Sequence, residues 1–332
     1  MARASAAGLS AEPSHAVLQE AAEWYAVLRS GGASAQEQSR WRAWLERCAE
    51  HRAAWRHVED ISRGFVALQE TPDPLQASDS LFQATVRMRR RRRVLAGLGA
   101  VAGAGLLAGS VWRPAWLGAR VLAWAADYRT GIGEQREIVL ADGSRIWLNT
   151  DSAFDADYGP ALRRIALVAG EMLVETAHAV SRPFVVDTAQ GRMRALGTRF
   201  NVRLDDAQTL LAVYAGAVEI TPAAGDAVVI RAGQQAEFTR SRVSGPAPAD
   251  AAHQSWTRGV LVAQDIPLRE VVRELRRYRV GHVGLAQEVA DLKVYGSFPV
   301  RETDRTLAML ATVLPVRIER TLPWWVSIEP RG

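Results

Sequence analysis

Cysteine is almost absent from this chain. Cys48 is the only one, so no intrachain disulfide can form and each folded part must hold together by packing. Catalytic equipment is missing too. The 332 residues contain no nucleophile–base signature, no metal-ligand spacing and no phosphate-binding glycine loop. His178 stands alone, and His51 and His57 fall on opposite sides of a helix, so they make no metal pair. We therefore expect no enzyme, no cofactor and no metal. The positive charge is also less than it looks. The formal net charge is +5, but Arg87 and Arg89–Arg93 supply six charges, and 5 − 6 leaves −1 for everything else. That excludes the broad basic surface that direct nucleic-acid binding needs.

What the chain has instead is a topogenic block. Arg89–Arg93 run straight into Val94–Trp112, which carries no charge. At about 1.5 Å of rise per residue, this stretch just crosses a hydrocarbon core of roughly 30 Å. It lacks the polar face that a soluble helix shows, and it lies too far from residue 1 to be a signal peptide. The arginine collar outweighs Arg113 and Arg120 on the far flank. The positive-inside rule then keeps residues 1–93 in the cytoplasm and puts 113–332 outside it. The expectation is a single transmembrane helix, 94–112. Two pairs of small residues, Gly99/Gly103 and Gly105/Gly109, would let two such helices pack as a homodimer.

Residues 15–70 read as a small all-α bundle. Glu20–Leu28 forms one helix, and Ser34-Ala-Gln-Glu37 is a capping box opening a second. There Trp41, Trp44, Leu45 and Cys48 share a face. A third helix carries Ala54, Val58, Ile61, Phe65 and Leu68 on one stripe, with Trp55 beside it. So small a module can leave an apolar groove that a partner helix completes. Its candidate anchors are Trp24, Trp41, Trp44, Leu45 and Trp55, which also have to fill the core. Residues 71–93 form a tether that includes the basic block.

Residues 127–240 change to a period of two. Glu137–Leu140 and Arg145–Asn149 flank an Asp142-Gly143 turn, a strong hairpin signal. Strands follow at 162–168, 172–176, 184–187, 192–195, 200–204, 210–214, 218–221, 228–231 and 236–239. Ala-Gly recurs at 169–170, 215–216 and 232–233, each time before a new strand. Short strands at this spacing predict an all-β domain, sandwich or barrel-like. One bond in it has chemistry to offer, Gly197-Thr198. A threonine hydroxyl can attack the preceding carbonyl where a turn is strained, giving an ester that hydrolyses. The competing reading is a plain turn opening a strand.

Residues 241–255 are a linker by composition, and 256–330 give the order β-α-β-β-α-β-β, a small α+β module. Its first helix has Pro267 just inside its start and Leu268, Val271, Val272 and Leu275 on one face. Its second uses Leu307, Leu310 and Val313. Trp324 and Trp325 are adjacent in a strand, so one should face the core and the other solvent or a partner; the competing reading is ordinary burial of both.

Taken together, these residues resemble the FecR-type transmembrane anti-sigma regulators of cell-surface signalling. The likeness spans nearly the whole chain. Ala22-Glu-Trp24, Trp44-Leu45 and His51-Arg-Ala-Ala-Trp55 resemble the family's cytoplasmic domain. The β domain carries Tyr128-Arg-Thr-Gly-Ile-Gly-Glu134, Leu140-Ala-Asp-Gly-Ser144, Leu148-Asn-Thr-Asp-Ser152, Ala169-Gly-Glu171, Arg182-Pro-Phe-Val-Val186 and Ala195-Leu-Gly-Thr-Arg-Phe-Asn-Val202 in the family's order. Trp256-Thr-Arg-Gly259 and Leu275-Arg-Arg-Tyr278 look like the short domain that opens secretins and TonB-dependent receptors. The resemblance implies an inner-membrane protein with a periplasmic C-terminal part. Its helices would bind an extracytoplasmic-function sigma factor, with Trp24, Trp41, Trp44, Leu45 and Trp55 as anchors. The outer part would meet the signalling domain of an outer-membrane TonB-dependent receptor, with Trp324 and Trp325 as the docking candidates, in iron-uptake regulation. Some family members cleave themselves at the bond matching Gly197-Thr198. The alternative is a periplasmic scaffold merely anchored by its N-terminal helices.

Overall fold

A computed structural model describes residues 13–30, 33–69, 123, 126–177, 182–195, 197–205 and 207–332. The expected span 94–112, the tether 71–93 and His178 lie outside the described residues. Among the described residues, no helix is long and apolar enough to cross a membrane.

The N-terminal module is three helices, α1 (His15–Arg29), α2 (Ala35–Glu46) and α3 (Ala49–Gln69). The expected capping box opens α2. Glu37 N–H donates to the Ser34 hydroxyl at 3.2 Å, and Ser34 N–H donates to the Glu37 carboxylate at 2.7 Å. Helix α1 begins five residues before the expected Glu20, because Val17 and Leu18 also pack into the apolar cluster. Ala21, Ala22, Trp44, Ala54 and Val58 are buried in that cluster.

The β domain is a sandwich of two sheets. One runs in the order β1 (Tyr128–Arg129), β4 (Ala153–Tyr158), β5 (Arg163–Ala169), β7 (Phe184–Asp187), β8 (Gly191–Ala195), β11 (Ala217–Pro222), β12 (Val228–Arg231). The other runs β14 (Ala247–Pro248), β13 (Gln234–Phe238), β10 (Thr209–Ala215), β9 (Arg199–Leu204), β6 (Glu171–Glu175), β3 (Arg145–Leu148), β2 (Arg136–Val139). Alternate residues of each strand fill the space between the sheets, among them Ile146, Leu148, Phe154, Ile165, Phe184, Phe200, Leu211 and Phe238. The expected β2–β3 hairpin forms, with Glu137 opposite Trp147 and Ile138 opposite Ile146. The three Ala-Gly pairs sit at the β5–β6, β10–β11 and β12–β13 turns, where the chain passes from one sheet to the other, and each glycine has a positive φ.

Three strands were not visible in the sequence: the two-residue β1, β4 and β14. Strand β4 contains Asp155 and Asp157, which lower strand propensity; the Asp155 carboxylate instead accepts the Asp127 N–H at 3.0 Å. The short β14 falls in the stretch expected to be a linker. Gln234 and Gln235 pair with Pro248 and Ala247, and Ala251–Arg258 forms a 3-10 helix with Asp250 capping it. Burial of Trp256 anchors that turn. The expectation of a linker over 241–255 is therefore corrected: its second half is folded onto the sandwich.

The C-terminal module follows the expected order: β15 (Val260–Pro267), α4 (Leu268–Arg276), β16 (His282–Leu285), β17 (Lys293–Pro299), α5 (Thr303–Val313), β18 (Val316–Leu322) and β19 (Trp325–Pro330). Strands β15 and β17 form one antiparallel pair, and β16, β19 and β18 form a second sheet in which β16 runs parallel to β19. Pro267 caps α4 from just outside, and Leu268, Val271, Val272 and Leu275 are all buried. Val313 departs from expectation: it is 63% exposed at the end of α5, where Leu307 and Leu310 do the packing.

Candidate functional site

Gly197 and Thr198 lie in the turn from β8 to β9. Gly197 has φ +74°, a left-handed conformation, and a Cβ there would meet open space, so the backbone twist rather than crowding favours glycine. Crowding is on the other side. Gly216 also has a positive φ, and a Cβ on it would lie 2.3 Å from the Gly197 carbonyl oxygen and 2.8 Å from Thr198 Cγ2. The turn is clamped to the end of β6. Thr198 N–H donates to Thr176 Oγ1 at 2.9 Å, and Thr176 N–H donates to the Thr198 carbonyl at 3.0 Å. The Thr198 hydroxyl itself is buried and has no hydrogen-bond partner among the described residues. A buried, unengaged nucleophile thus sits next to a carbonyl held in a constrained turn.

The five aromatic and leucine anchors expected on the helices all fall in one apolar cluster. Trp44 is its centre: Nε1–H donates to Glu20 at 2.6 Å, and the ring stacks on His51 at 4.3 Å. Trp41 and Trp55 pack ring to ring at 4.9 Å, and Trp24 and Leu45 are half-buried. His51 Nδ1 bonds the Trp44 carbonyl, so that histidine is committed to the core.

Trp324 and Trp325 are not exposed. They are 6% and 0% accessible, because α1 and α3 cover the sheet that carries them. Gln19 ties the contact down. Its side-chain oxygen accepts from Trp325 Nε1–H at 3.1 Å and from the Ser327 hydroxyl at 2.7 Å, and its nitrogen donates to Thr321 at 2.7 Å. His15 bonds Glu329 at 2.7 Å, Tyr25 meets the edge of Trp324, and His282 stacks on Trp325 at 3.9 Å. Of the two readings, one tryptophan facing solvent or both buried, the structure shows the second: both are covered, by this chain's own helices. Surfaces in contact share a compartment. This packing and a single span between the two modules therefore exclude each other in one molecule at one time.

A third cluster brings together motif residues for which the sequence suggested no role. Glu171, buried at the start of β6, accepts from Asn201 Nδ2 at 2.9 Å and Asn149 Nδ2 at 2.8 Å. It also pairs with Arg277 at 2.7 Å, just past the end of α4, and Arg277 reaches Glu274 at 2.6 Å. The Tyr278 hydroxyl donates to Asn149 Oδ1 at 3.0 Å, and the Thr150 hydroxyl donates to the Arg277 carbonyl at 2.9 Å. Burial opposes ionisation of Glu171, but the guanidiniums of Arg277 and Arg203 and the two asparagine donors outweigh it, holding the carboxyl below its ordinary range. Burial likewise works against the Arg277 charge, and Glu171 and Glu274 more than restore it. The one signal in the sequence was a polar residue embedded in each of several apolar strand motifs. Among the described residues, no group of three His, Cys, Asp or Glu could hold a metal ion.

Comparison with known proteins places these features. Residues 126–219 match the family model described as FecR protein, which covers most of the sandwich. Residues 19–61 match a domain of unknown function, DUF4880, which lies on α1–α3. No curated protein matches the chain. Two crystal structures of a "putative anti-sigma factor" from Parabacteroides distasonis ATCC 8503, at 2.50 and 1.65 Å resolution, are similar in fold. Each has a TM-score of 0.51 and 20% identity over 62% of this chain, covering 98% and 99% of its own length. At that identity the likeness is one of fold. The two family models lie on folded units whose motifs were legible in the sequence: a FecR domain on the sandwich and a DUF4880 unit on the three helices.

Proposed function

We propose that this chain is a single-pass inner-membrane regulator of an extracytoplasmic-function sigma factor. Residues 94–112 span the membrane, α1–α3 hold the sigma factor inside, and the sandwich and C-terminal module meet the signalling domain of an outer-membrane TonB-dependent receptor, in the control of iron uptake. The observation that carries this reading is the order of parts. A DUF4880-type helical unit and a FecR sandwich flank an arginine collar and an uncharged stretch long enough to cross a bilayer. In the threaded chain the contact between α1–α3 and the Trp324/Trp325 sheet is given up, and each apolar face takes its own partner. The test is co-purification of the full-length chain, solubilised from membranes, with the extracytoplasmic-function sigma factor encoded beside it. Recovery supports the proposal. A chain anchored only as a periplasmic scaffold recovers no sigma factor.

A second activity rests on Thr198. The unengaged hydroxyl oxygen would attack the Gly197 carbonyl carbon. The bond to the Thr198 nitrogen breaks, that nitrogen takes the hydroxyl proton, and an ester replaces the amide. Water then hydrolyses the ester, leaving a carboxylate on Gly197 and a free amine on Thr198. The clamp between Thr176 and Thr198 fixes the turn while this happens.

A further inference from the structure

The sandwich and the C-terminal module have separate apolar cores with no residue in common. Modules joined through a polar interface are expected to move against each other. Here the interface is built differently. Its centre is a buried carboxylate whose ligands come from both sides: Asn149 and Asn201 from the sandwich, and Arg277 from the C-terminal module. Around it, Tyr278 to Asn149, Thr150 to the Arg277 carbonyl, and Arg203 to Glu274 at 3.2 Å all cross the same boundary. At the rim, Arg301 donates to Gln135 at 3.0 Å.

We infer that Glu171 and Arg277, with Asn149, Asn201, Thr150 and Tyr278, form a lock that makes the sandwich and the C-terminal module one rigid body. A buried ion pair adds little net stability over an apolar contact, but it is strongly selective for one geometry, because any displacement leaves a charge buried without its partner. The lock therefore fixes the angle between the modules rather than merely gluing them. A partner that grips the C-terminal module moves the sandwich with it. The motif residues at 149–150, 171, 201 and 277–278 are needed together for this, since each supplies a ligand that no neighbour replaces. The inference stands on the junction alone and does not depend on the sigma-factor reading.

The test is hydrogen exchange of the detergent-solubilised full-length chain across a urea series, reading β3 and β6 for the sandwich and α4 and α5 for the C-terminal module. In the native chain the two sets should share one midpoint. In Glu171→Gln they should part, with exchange in α4 and α5 rising by roughly tenfold or more over that in β3 and β6. Tyr278→Phe, which deletes one hydroxyl and keeps the ring, should part them by a smaller factor, and it decides the matter if Glu171→Gln does not fold. Midpoints that differ in the native chain, or that shift together or stay unchanged in the variants, would overturn the lock.

Discussion

Gln19 and Trp325 meet at 3.1 Å, one from α1 and the other from β19, at opposite ends of the described residues. That bond can exist only where both modules share a compartment. Replacing Gln19 and Ser327 by cysteine in a Cys48→Ser background gives a pair that a short bismaleimide can bridge. The bridge should form in chain refolded without membranes. It should be absent from chain inserted in the inner membrane, where the proposed span parts the two residues. Equal bridging in both preparations would show that 94–112 does not separate the modules.

The hydroxyl of Thr198 makes its own prediction. Purified full-length protein should run as two fragments divided at residue 197. Thr198→Ala should run as one band, and Thr198→Ser, which keeps the nucleophile, should still divide. A native protein that is wholly intact would dispose of the self-cleavage reading.

Gly216→Ala should be costly. The new methyl group needs a left-handed alanine and would lie 2.3 Å from the Gly197 carbonyl oxygen. Strain and overpacking together should remove roughly 2–4 kcal/mol from the sandwich, read as a lowered urea midpoint at an unchanged slope. The same change displaces the Gly197 carbonyl, so fragment formation should slow in parallel.

Acid should loosen the two interfaces in a fixed order. Burial, helped by the nearby charges of His57, Arg276 and His15, pushes His282 down to about 3 from 6.5. A group whose folded value is depressed in this way takes up a proton more readily when unpacked. The helix-to-sheet contact is therefore fully stable above about pH 6.5 and weakens as pH falls toward 3, by at most about 1.4 kcal/mol per unit, and by less because the ring is only partly buried. Glu171 is also depressed, from 4.5, so its contribution persists until pH falls below that value. Exchange in α1 should rise between pH 6.5 and 5, while that in α4 holds until below 4.5. The reverse order would contradict the assignment of either group.

Much of this was legible because it is local. The capping box at Ser34 and Glu37, the turn at Asp142-Gly143 and the α4 face at Leu268, Val271, Val272 and Leu275 each follow from residues within a few positions of one another. The order of elements in the C-terminal module could be read for the same reason. What stayed hidden depends on distant pairing. Strand β5 lies parallel to β7, with Ile165 opposite Val186, because β6 crosses to the other sheet between them. The convergence of Asn149, Glu171, Asn201 and Arg277 needs four separate segments to meet. For Trp324 and Trp325 the local pattern left open whether one faces solvent or both are buried. What covers them, helices from the opposite end of the chain, leaves no mark on the local pattern.

The crossing of the chain between the two sheets has a consequence for any cut at residue 197. Strands β1 to β8 would belong to one fragment and β9 to β14 to the other, yet each sheet contains strands of both. Strand β8 of the first fragment is zipped to β11 of the second, with Val218 opposite Ala195. Strand β6 is zipped to β9, with Leu173 opposite Asn201. Phe154, Phe184, Phe200 and Leu211, two from each piece, remain packed in one interior. A severed molecule is thus still a whole one in shape and attachment. Hydrolysis of the peptide bond would leave it ready to come apart, and the pieces would part only when something pulled both ladders open.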